Sequence, residues 1–349
     1  MSTTVGGRAA RVIRFSASGI CARGTARGVC DTSRVLHLQL RVPDALTGEV
    51  LSLLSSEETV TNIAVLPRAY ARPPGTMLVA DIAREGANPV VAALRALDLH
   101  HCGSIMLTEP SAILSDEADR AERAAPGEPD DAVVWDLVEN RLRAESKLSW
   151  AFVAFLTLAT LIAGAGRLLD QPILIIGAMV VGPEFSAVAA ICLALARPRP
   201  ALLPQALTTL FGGFAIAVAV ASPLWLLAHL AGLASKADAV SGPSTDFIVQ
   251  PDIWSFLIAL LAGIAGVLAL TTSKSGPLVG VFISVTTVPA AGTLALCIGV
   301  GLWSEIPGAL LQLGINIAGM VLSGSLTLLL QRVVWARVQG SARSARLGR

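Results

Sequence analysis

Charged residues are scarce in this 349-residue chain and are almost missing from its second half. Asp, Glu, Lys and Arg make up 15% of the sequence, whereas 54% is hydrophobic. Such a composition is too apolar for a purely soluble chain. Charges recur every few residues up to about Lys147 and nearly vanish from Leu148 to Val334. We therefore predict a water-facing part and a lipid-facing part that meet near Ser149.

The chain also lacks a net charge and a cysteine pattern. It has 26 basic and 25 acidic residues, so no general field attracts nucleic acid, and we expect no nucleic-acid partner. The cysteines have no CxxC spacing, which argues against a disulfide framework and a zinc site. We expect reduced thiols, no metal and no cofactor. The cysteines are Cys21, Cys30, Cys102, Cys192 and Cys297.

Catalytic signatures are missing as well. The sequence contains no HExxH, no GxGD-like aspartate pair and no P-loop GxxxxGK[ST]. His229 has no second metal ligand at a suitable spacing and no convincing serine partner. We therefore predict that the chain is not an enzyme.

Residues 1–34 are rich in Arg, Ser, Gly and Ala and lack the apolar core that a secretory signal requires. We interpret them as a disordered leader. A wrongly assigned start codon is the alternative.

Residues 35–112 alternate between strand-like and helix-like hydrophobic patterns. VLHLQLRV (Val35–Val42) alternates apolar and polar residues, as a half-buried strand does. The full order β-α-β-β-α-β predicts a ferredoxin-like α+β domain, which could sense a metabolite or only mediate assembly. The later segments are a helix at 45–54, strands at 60–66 and 76–83 around a turn at 73–75, a helix at 89–99 and a strand at 103–109.

A charged linker over 113–147 ends in an amphipathic helix. Val134, Val138 and Leu142 recur every four residues, which gives this helix one apolar face. We expect the helix to connect the two parts of the chain or to lie on the membrane surface.

About six transmembrane helices are predicted over 148–334, because each crossing needs about 20 apolar residues. The predicted fold is thus a membrane all-α bundle behind the N-terminal α+β domain. The candidate spans are 149–166, 172–195, 202–231, 253–272, 278–300 and 307–334.

An even number of crossings places both ends of the chain on one side, and the basic residues indicate which side. Only Arg167 and Lys236 fall on the far side. By the positive-inside rule, we predict a multi-pass protein of the plasma membrane with cytoplasmic N- and C-termini and a basic tail at 335–349. The basic residues on the N-terminal side are Arg141, Arg143, Lys147, Arg197, Arg199, Lys274, Arg332, Arg337, Arg343, Arg346 and Arg349.

The second and fifth predicted spans resemble each other. They begin with Pro172 and Pro277, reach a second proline at Pro183 and Pro289, and continue with small residues and a cysteine. If the spans are equivalent, the bundle is a 3+3 inverted repeat; chance similarity between Gly- and Ala-rich spans is the alternative. Each internal proline should kink or break its helix and leave carbonyls unpaired.

The internal prolines also mark the candidate pathway for an ion or solute. Glu184 follows Pro183 inside an apolar span, where an ionisable group costs at least ~2.5 kcal/mol and usually faces a cavity or a partner. A carboxylate beside freed carbonyls could hold a proton or a cation. A repaired proline kink is the alternative, and Asn316 could instead join helices. The predicted pathway residues are Gly182, Pro183, Glu184, Thr286, Thr287, Pro289 and Asn316, with Ser186 as a polar neighbour and Lys274 as a topology anchor or an anion contact.

Two segments carry a resemblance to a known family. LATLIAGAGRLLDQPILIIGAMVVGPEF and ALTTSKSGPLVGVFISVTTVPAAG resemble the domain of unknown function 389, or uncharacterised hydrophobic domain, of bacteria and archaea. Its clearest marks are GAM at Gly177–Met179 and VP at Val288–Pro289. The resemblance covers about 149–334 and implies a membrane protein without an established activity. Many relatives have Ser-Pro-Leu-Met at 182–185, so the resemblance implies the proline but not the acid.

These observations leave two functions open. The first is a transporter or channel for a small ion or solute, with a cytoplasmic regulatory domain. The alternative is a membrane-anchored sensor or scaffold whose N-terminal domain binds a metabolite or a protein. We expect membrane lipids as partners and, because the helices are rich in small residues, further copies of the chain.

Overall fold

The computed structural model describes residues 35–110, 113, 115–125, 127, 132–197, 201–240, 248, 252–272 and 287–347, with side chains up to residue 337. The predicted disordered leader over 1–34 lies outside the described residues. So do Cys21, Cys30, Thr286 and Lys274.

The N-terminal part is a four-stranded antiparallel sheet in the order β2-β3-β1-β4, with helices between the strands. Its element order is the predicted β-α-β-β-α-β with one additional short helix, α3. The elements are β1 (Val35–Val42), α1 (Thr47–Ser56), β2 (Val60–Ala71), β3 (Pro74–Ala83), α2 (Ala87–Ala96), α3 (Leu99–Cys102) and β4 (Ser104–Thr108).

The strand predicted at 35–42 is confirmed with its bounds, and its apolar side chains form the core of this sheet. Leu36, Leu38 and Leu40 are buried on one face of β1, because successive side chains of a strand point to opposite faces. Val50 of α1 and Leu94 of α2 pack against that face.

The hairpin of β2 and β3 is longer than the pattern predicted. Tyr70 pairs with Gly75 and Ala71 pairs with Pro74, so the turn lies at residues 72 and 73 and not at 73–75. A Cβ atom on Gly75 would lie 2.9 Å from the carbonyl oxygen of Val42. Because glycine has no Cβ atom, the start of β3 can approach β1 closely.

Two helices follow in the linker: α4 (Asp116–Ala124) and α5 (Trp135–Glu145). The amphipathic α5 belongs to two cores at once. Val134 and Leu137 pack into the core of the sheet domain, whereas Val138 and Leu142 pack into the core of the membrane helices. The apolar face of α5 therefore contacts protein and connects the two parts.

Hydrogen bonds from α2 fix the start of α5. The side chain of Asn88 donates from Nδ2 to the carbonyl of Val133 at 2.7 Å and accepts the backbone N–H of Trp135 at 3.2 Å. Arg95 also pairs with Asp136 at 2.6 Å. We call these contacts the α2–α5 joint.

Asn88→Ala is expected to loosen the α2–α5 joint. It leaves the Val133 carbonyl and the Trp135 N–H without this partner, at a cost on the order of 1–3 kcal/mol. Hydrogen exchange at the Trp135 amide should become faster, while Asn140→Ala on the exposed side of α5 should leave it unchanged. Equal exchange in wild type and Asn88→Ala would contradict this role.

The second half of the chain is helical. The helices are α6 (Trp150–Leu168), α7 (Pro172–Val181), α8 (Glu184–Ala196), α9 (Leu202–Leu230), α10 (Lys236–Val240), α11 (Ile253–Thr271), α12 (Thr287–Val300) and α13 (Ile306–Leu347). Asp252 caps α11 by accepting the backbone N–H of Ser255 at 2.8 Å, and this bond lowers the pKa of the Asp252 carboxyl. Because α13 continues to Leu347, the described part of the predicted tail at 335–349 extends the last helix.

Among the described residues, four helices are long and apolar enough to cross a membrane: α6, α9, α11 and α13. A fifth crossing results if α7 and α8 are one bent span. The predicted six spans are not confirmed, because the described part of the fifth predicted span is only the 14-residue α12. At 1.5 Å per residue α12 extends about 21 Å, short of a hydrocarbon core of about 30 Å.

The helices α8 and α12 lie at the centre of the bundle. Nearly every residue of α12 is buried, as are most residues of α8. Small residues allow α12 to approach α6 and α9: a Cβ atom on Gly292 would lie 2.5 Å from the Cβ of Ala163, and one on Gly299 would lie 2.7 Å from the carbonyl oxygen of Ser222. Large apolar side chains of α9, α11 and α13 remain exposed, as expected of helices that face lipid.

Candidate functional site

The span from Pro172 to Ala196 is broken at two residues. Helix α7 ends at Val181, α8 begins at Glu184, and the two are bent by 58°. Pro183 has no N–H for a helical hydrogen bond and disfavours helical geometry at the residue before it. Gly182 accordingly has φ −67° and ψ 126°. The break predicted at Pro183 is therefore present.

The carboxylate of Glu184 is enclosed at this break. Its side chain is 1% exposed, and Oε1 accepts a hydrogen bond from Oγ1 of Thr287 at 2.8 Å. Thr287 is itself fully buried in the first described turn of α12. The bond therefore joins the two central helices across the bundle.

Gly182 fits closely against the carboxylate. A Cβ atom at this position would collide with Oε2 of Glu184 and would lie 2.8 Å from Cγ2 of Val288. Any larger residue must displace the carboxylate or part α8 from α12. We call Gly182, Pro183, Glu184 and Thr287 the break site.

The break site lies in the half of the bundle nearer the sheet domain. Gly292 of α12 meets Thr160 and Ala163 of α6, and the end of α12 at Val300 clusters with Leu168 at the far end of α6. The two helices therefore run in the same direction. Thr287, five residues before Gly292, must lie closer to the start of α6 and to α5.

Ser186 connects the break to the end of α5. Its Oγ donates to the carbonyl of Pro183 at 2.9 Å and lies 3.2 Å from the carbonyl oxygen of Glu145. The hydroxyl thus provides polar contacts for a carbonyl at the break. The structure thus places the Ser186 hydroxyl on the carbonyls of Pro183 and Glu145, and the contact with α5 is one that the sequence did not indicate.

The other predicted pathway residues are distributed differently. Pro289 is the third residue of α12, and the helix continues through it, so the kink or break expected at Pro289 is absent from 287–300. Asn316 is buried on α13, where its Oδ1 accepts from Nε2 of Gln312 at 3.4 Å. The structure therefore places this amide in a polar pair on its own helix.

Sequence reasoning missed a second buried charge. Arg167, in the last turn of α6, is 1% exposed, and its Nη2 lies 3.4 Å from the carbonyl oxygen of Val240. We assigned it to topology because it stands at the end of an apolar run. This contact with α10 joins residues 73 positions apart, so no local pattern could indicate it.

The break site offers oxygen donors only. A carboxylate and a hydroxyl are ligands for a proton or a hard cation and not for soft metals. In this conformation the carboxylate is closed to both sides of the bundle. A ligand can reach it only if α7, α8 or α12 moves, and the two-residue break supplies the hinge for such movement.

Comparisons with known proteins agree with the predicted family. Residues 179–322, which contain the break site, match the model of the domain of unknown function 389 (DUF389). An uncharacterised protein of Methanocaldococcus jannaschii is 28% identical over 178 residues, which are 51% of this chain and 53% of that protein. The chain thus matches about half the length of this relative. No solved structure matches the chain. Its apolar helices make it a membrane protein of uncharacterised function, and its residues 179–322 are similar to the DUF389 family.

Proposed function

We propose that the protein moves a proton or small cation, alone or together with a solute, across the membrane, and that Glu184 binds the ion. One observation carries this proposal: a buried carboxylate at a broken span bonds to the second central helix at 2.8 Å. Secondary transporters place their sites at discontinuous helices of this kind. An ionisable group inside a membrane span is a functional candidate by default.

The chemistry follows from the enclosure of the carboxylate. A charge buried in a span costs several kcal/mol unless a proton, a cation or hydrogen bonds compensate it. Thr287 supplies one such bond, and an arriving proton or cation would neutralise the remaining charge. Neutralisation lowers the cost of moving the carboxylate past apolar side chains, so ion binding and rearrangement of α8 against α12 are coupled.

The packing of the central helices supports an inverted repeat as part of this proposal. In the repeat, α6 to α9 form one unit, and α11 to α13 form the other. Helix α8 packs against α9 of its own unit and α13 of the other, and α12 packs against α13 of its own unit and α9 of the other. This reciprocal exchange favours the six spans predicted from the sequence.

We propose the remaining features on the same basis. The sheet order β2-β3-β1-β4 favours a ferredoxin-like domain, which would act on the break site through the α2–α5 joint and Ser186. The excess of basic residues on the N-terminal side favours cytoplasmic N- and C-termini in the plasma membrane. Small residues on exposed helix faces, such as Gly177 and Gly314, favour a homo-oligomer, and the missing catalytic motifs favour a function without enzymatic activity.

Reconstitution tests the transport proposal directly. Protein in liposomes containing a pH-sensitive dye, or one sensitive to Na⁺ or K⁺, should dissipate an imposed gradient of at least one of these ions faster than protein-free liposomes. The proposal is contradicted if, for all three ions, the gradient decays no faster with protein than in protein-free liposomes. The orientation and amount of inserted protein should be measured in the same preparation.

Gly182→Ala is expected to reduce that flux without unfolding the protein. The added methyl group would collide with Oε2 of Glu184 and press on Val288, so the carboxylate must shift, which disturbs its bond with Thr287. The matched control is Gly177→Ala in α7, whose added Cβ would have no neighbour within 4 Å. If both variants transport like the wild type, the fit of Gly182 against Glu184 has no role in transport.

A second candidate function is a membrane-anchored sensor or scaffold. It is favoured by a cavity of about 330 Å³ between the sheet domain and α5, lined by Arg95, His100, Asp136 and Asn140 among others. A ligand bound there by calorimetry, together with no flux for any ion in liposomes, would support this function over transport.

A further inference from the structure

Three side chains with metal-binding atoms converge on the turn before β4. The ligand atoms of Asp98, His100 and His101 all lie within 4.8 Å of one another. The two imidazole rings have centroids 4.0 Å apart, and Nδ1 of His100 is 4.0 Å from Oδ1 of Asp98. All three side chains are exposed, so an ion can reach them from solvent.

The backbone holds this turn in a defined shape. Asp98 has φ +60°, a left-handed conformation that Asp adopts more readily than most residues. It ends the turn after α2 and brings its carboxylate beside α3. The guanidinium of Arg41 donates from Nη2 to the carbonyls of Cys102 and Gly103, at 3.1 and 3.0 Å. The turn is thus tied to β1.

We propose that Asp98, His100 and His101 bind one divalent transition-metal ion. Two imidazoles and one carboxylate are a ligand set that Zn²⁺ accepts, with water in the remaining position. Ligands at about 2.1 Å from a tetrahedral ion stand about 3.4 Å apart. The present spacing therefore needs only small rotations of exposed side chains. Nitrogen ligands also favour Zn²⁺, Ni²⁺ or Cu²⁺ over Mg²⁺ and Ca²⁺.

The position of the site gives the ion a regulatory role. His100 lines the cavity between the sheet domain and α5, next to the ion pair of Arg95 and Asp136. A bound divalent cation places positive charge beside this pair. This charge would attract the Asp136 carboxylate and compete with Arg95 for it. The α2–α5 joint, which contacts both cores, would change as a result. This role extends the proposed function, but metal binding itself does not depend on transport.

The test is a Zn²⁺ titration of the full chain in detergent, purified with a tag that contains no histidine. Because exposed Cys102 could bind Zn²⁺ by itself, the titration uses the Cys102→Ser variant. We expect one Zn²⁺ per chain and no competition from excess Mg²⁺. His100→Ala and His101→Ala should each weaken binding on the order of tenfold or more, since even outer-shell partners of a metal contribute that much.

His37→Gln is the matched control. His37 bonds to Asp81 at 2.9 Å in the sheet, away from the turn, so the variant should bind Zn²⁺ like its parent. Thermal unfolding of each metal-free variant shows whether it remains folded. The proposal is overturned if Cys102→Ser abolishes Zn²⁺ binding, or if both histidine variants retain full affinity. Because the titration measures Zn²⁺ binding and not flux, the metal proposal can fail while the transport proposal holds. The transport proposal can likewise fail while the metal proposal holds.

Discussion

Glu184→Gln is expected to lower ion flux in liposomes by about ten- to a hundredfold. Glutamine has nearly the same shape and can still accept the bond from Thr287, so the bundle should fold as before. Its neutral amide cannot bind and release a proton, and it carries no negative charge to attract a cation. A hydrogen bond to a charged group contributes about 1.5–3 kcal/mol, and each 1.4 kcal/mol corresponds to about tenfold in rate. The measurement is the initial rate of dye response at equal protein content.

The matched control is Glu145→Gln. This carboxylate lies on α5 and pairs with Arg141 at 2.9 Å on an exposed surface, where such pairs contribute little. Flux should remain at the wild-type level in this variant. Wild-type flux in Glu184→Gln itself would remove the carboxylate from the mechanism and leave the proline break as the candidate element.

Gly292→Ala is expected to destabilise the bundle. The new Cβ would lie 2.5 Å from the Cβ of Ala163, 2.7 Å from the nitrogen of Gly164 and 2.8 Å from the carbonyl oxygen of Thr160. Two of these atoms belong to the backbone of α6 and cannot rotate away. Overpacking of this kind costs about 1–3 kcal/mol. The melting temperature in detergent should fall.

Gly314→Ala provides the comparison for Gly292→Ala. Gly314 lies on α13, and its added Cβ would have no neighbour within 4 Å. Alanine in a helix is more stable than glycine by roughly 0.5–1 kcal/mol, so this variant should melt at the same temperature as the wild type or higher. Equal loss in both variants would mean that the crossing of α6 and α12 is not the reason for the glycine.

Local pattern was enough to predict the sheet domain and most of the long helices. The alternation of Val35–Val42 and the near absence of charge after Leu148 depend only on which side chains face water. The break at Pro183 was predictable because a missing N–H is a local property. The same argument predicted a break at Pro289, where the described residues 287–300 form one helix.

The contacts that define the break site could not be predicted from the sequence. Glu184 and Thr287 are 103 positions apart, and no local pattern indicates that α8 and α12 are neighbours. The contact of Arg167 with α10 likewise depends on a helix that follows much later in the chain. For α5, the pattern predicted one apolar face, but the structure divides that face between two cores.

The candidate metal site was missed for a different reason. The cysteine spacing and the single histidine in the membrane part predicted no metal. Asp98, His100 and His101 do not follow the spacing of a helical or strand-borne ligand set. The left-handed backbone at Asp98 brings them together, and such a conformation depends on the turn and its ties to β1.

The dual packing of α5 has a consequence for how the protein is made. A chain that leaves the ribosome from its N-terminus completes the sheet domain early, and Val134 and Leu137 of α5 then have their neighbours. Val138 and Leu142 have no neighbours from α8 until that helix emerges, about forty residues later. During that interval the apolar side of α5 is exposed to water. A nascent chain stalled before α8 emerges should therefore bind chaperones or aggregate.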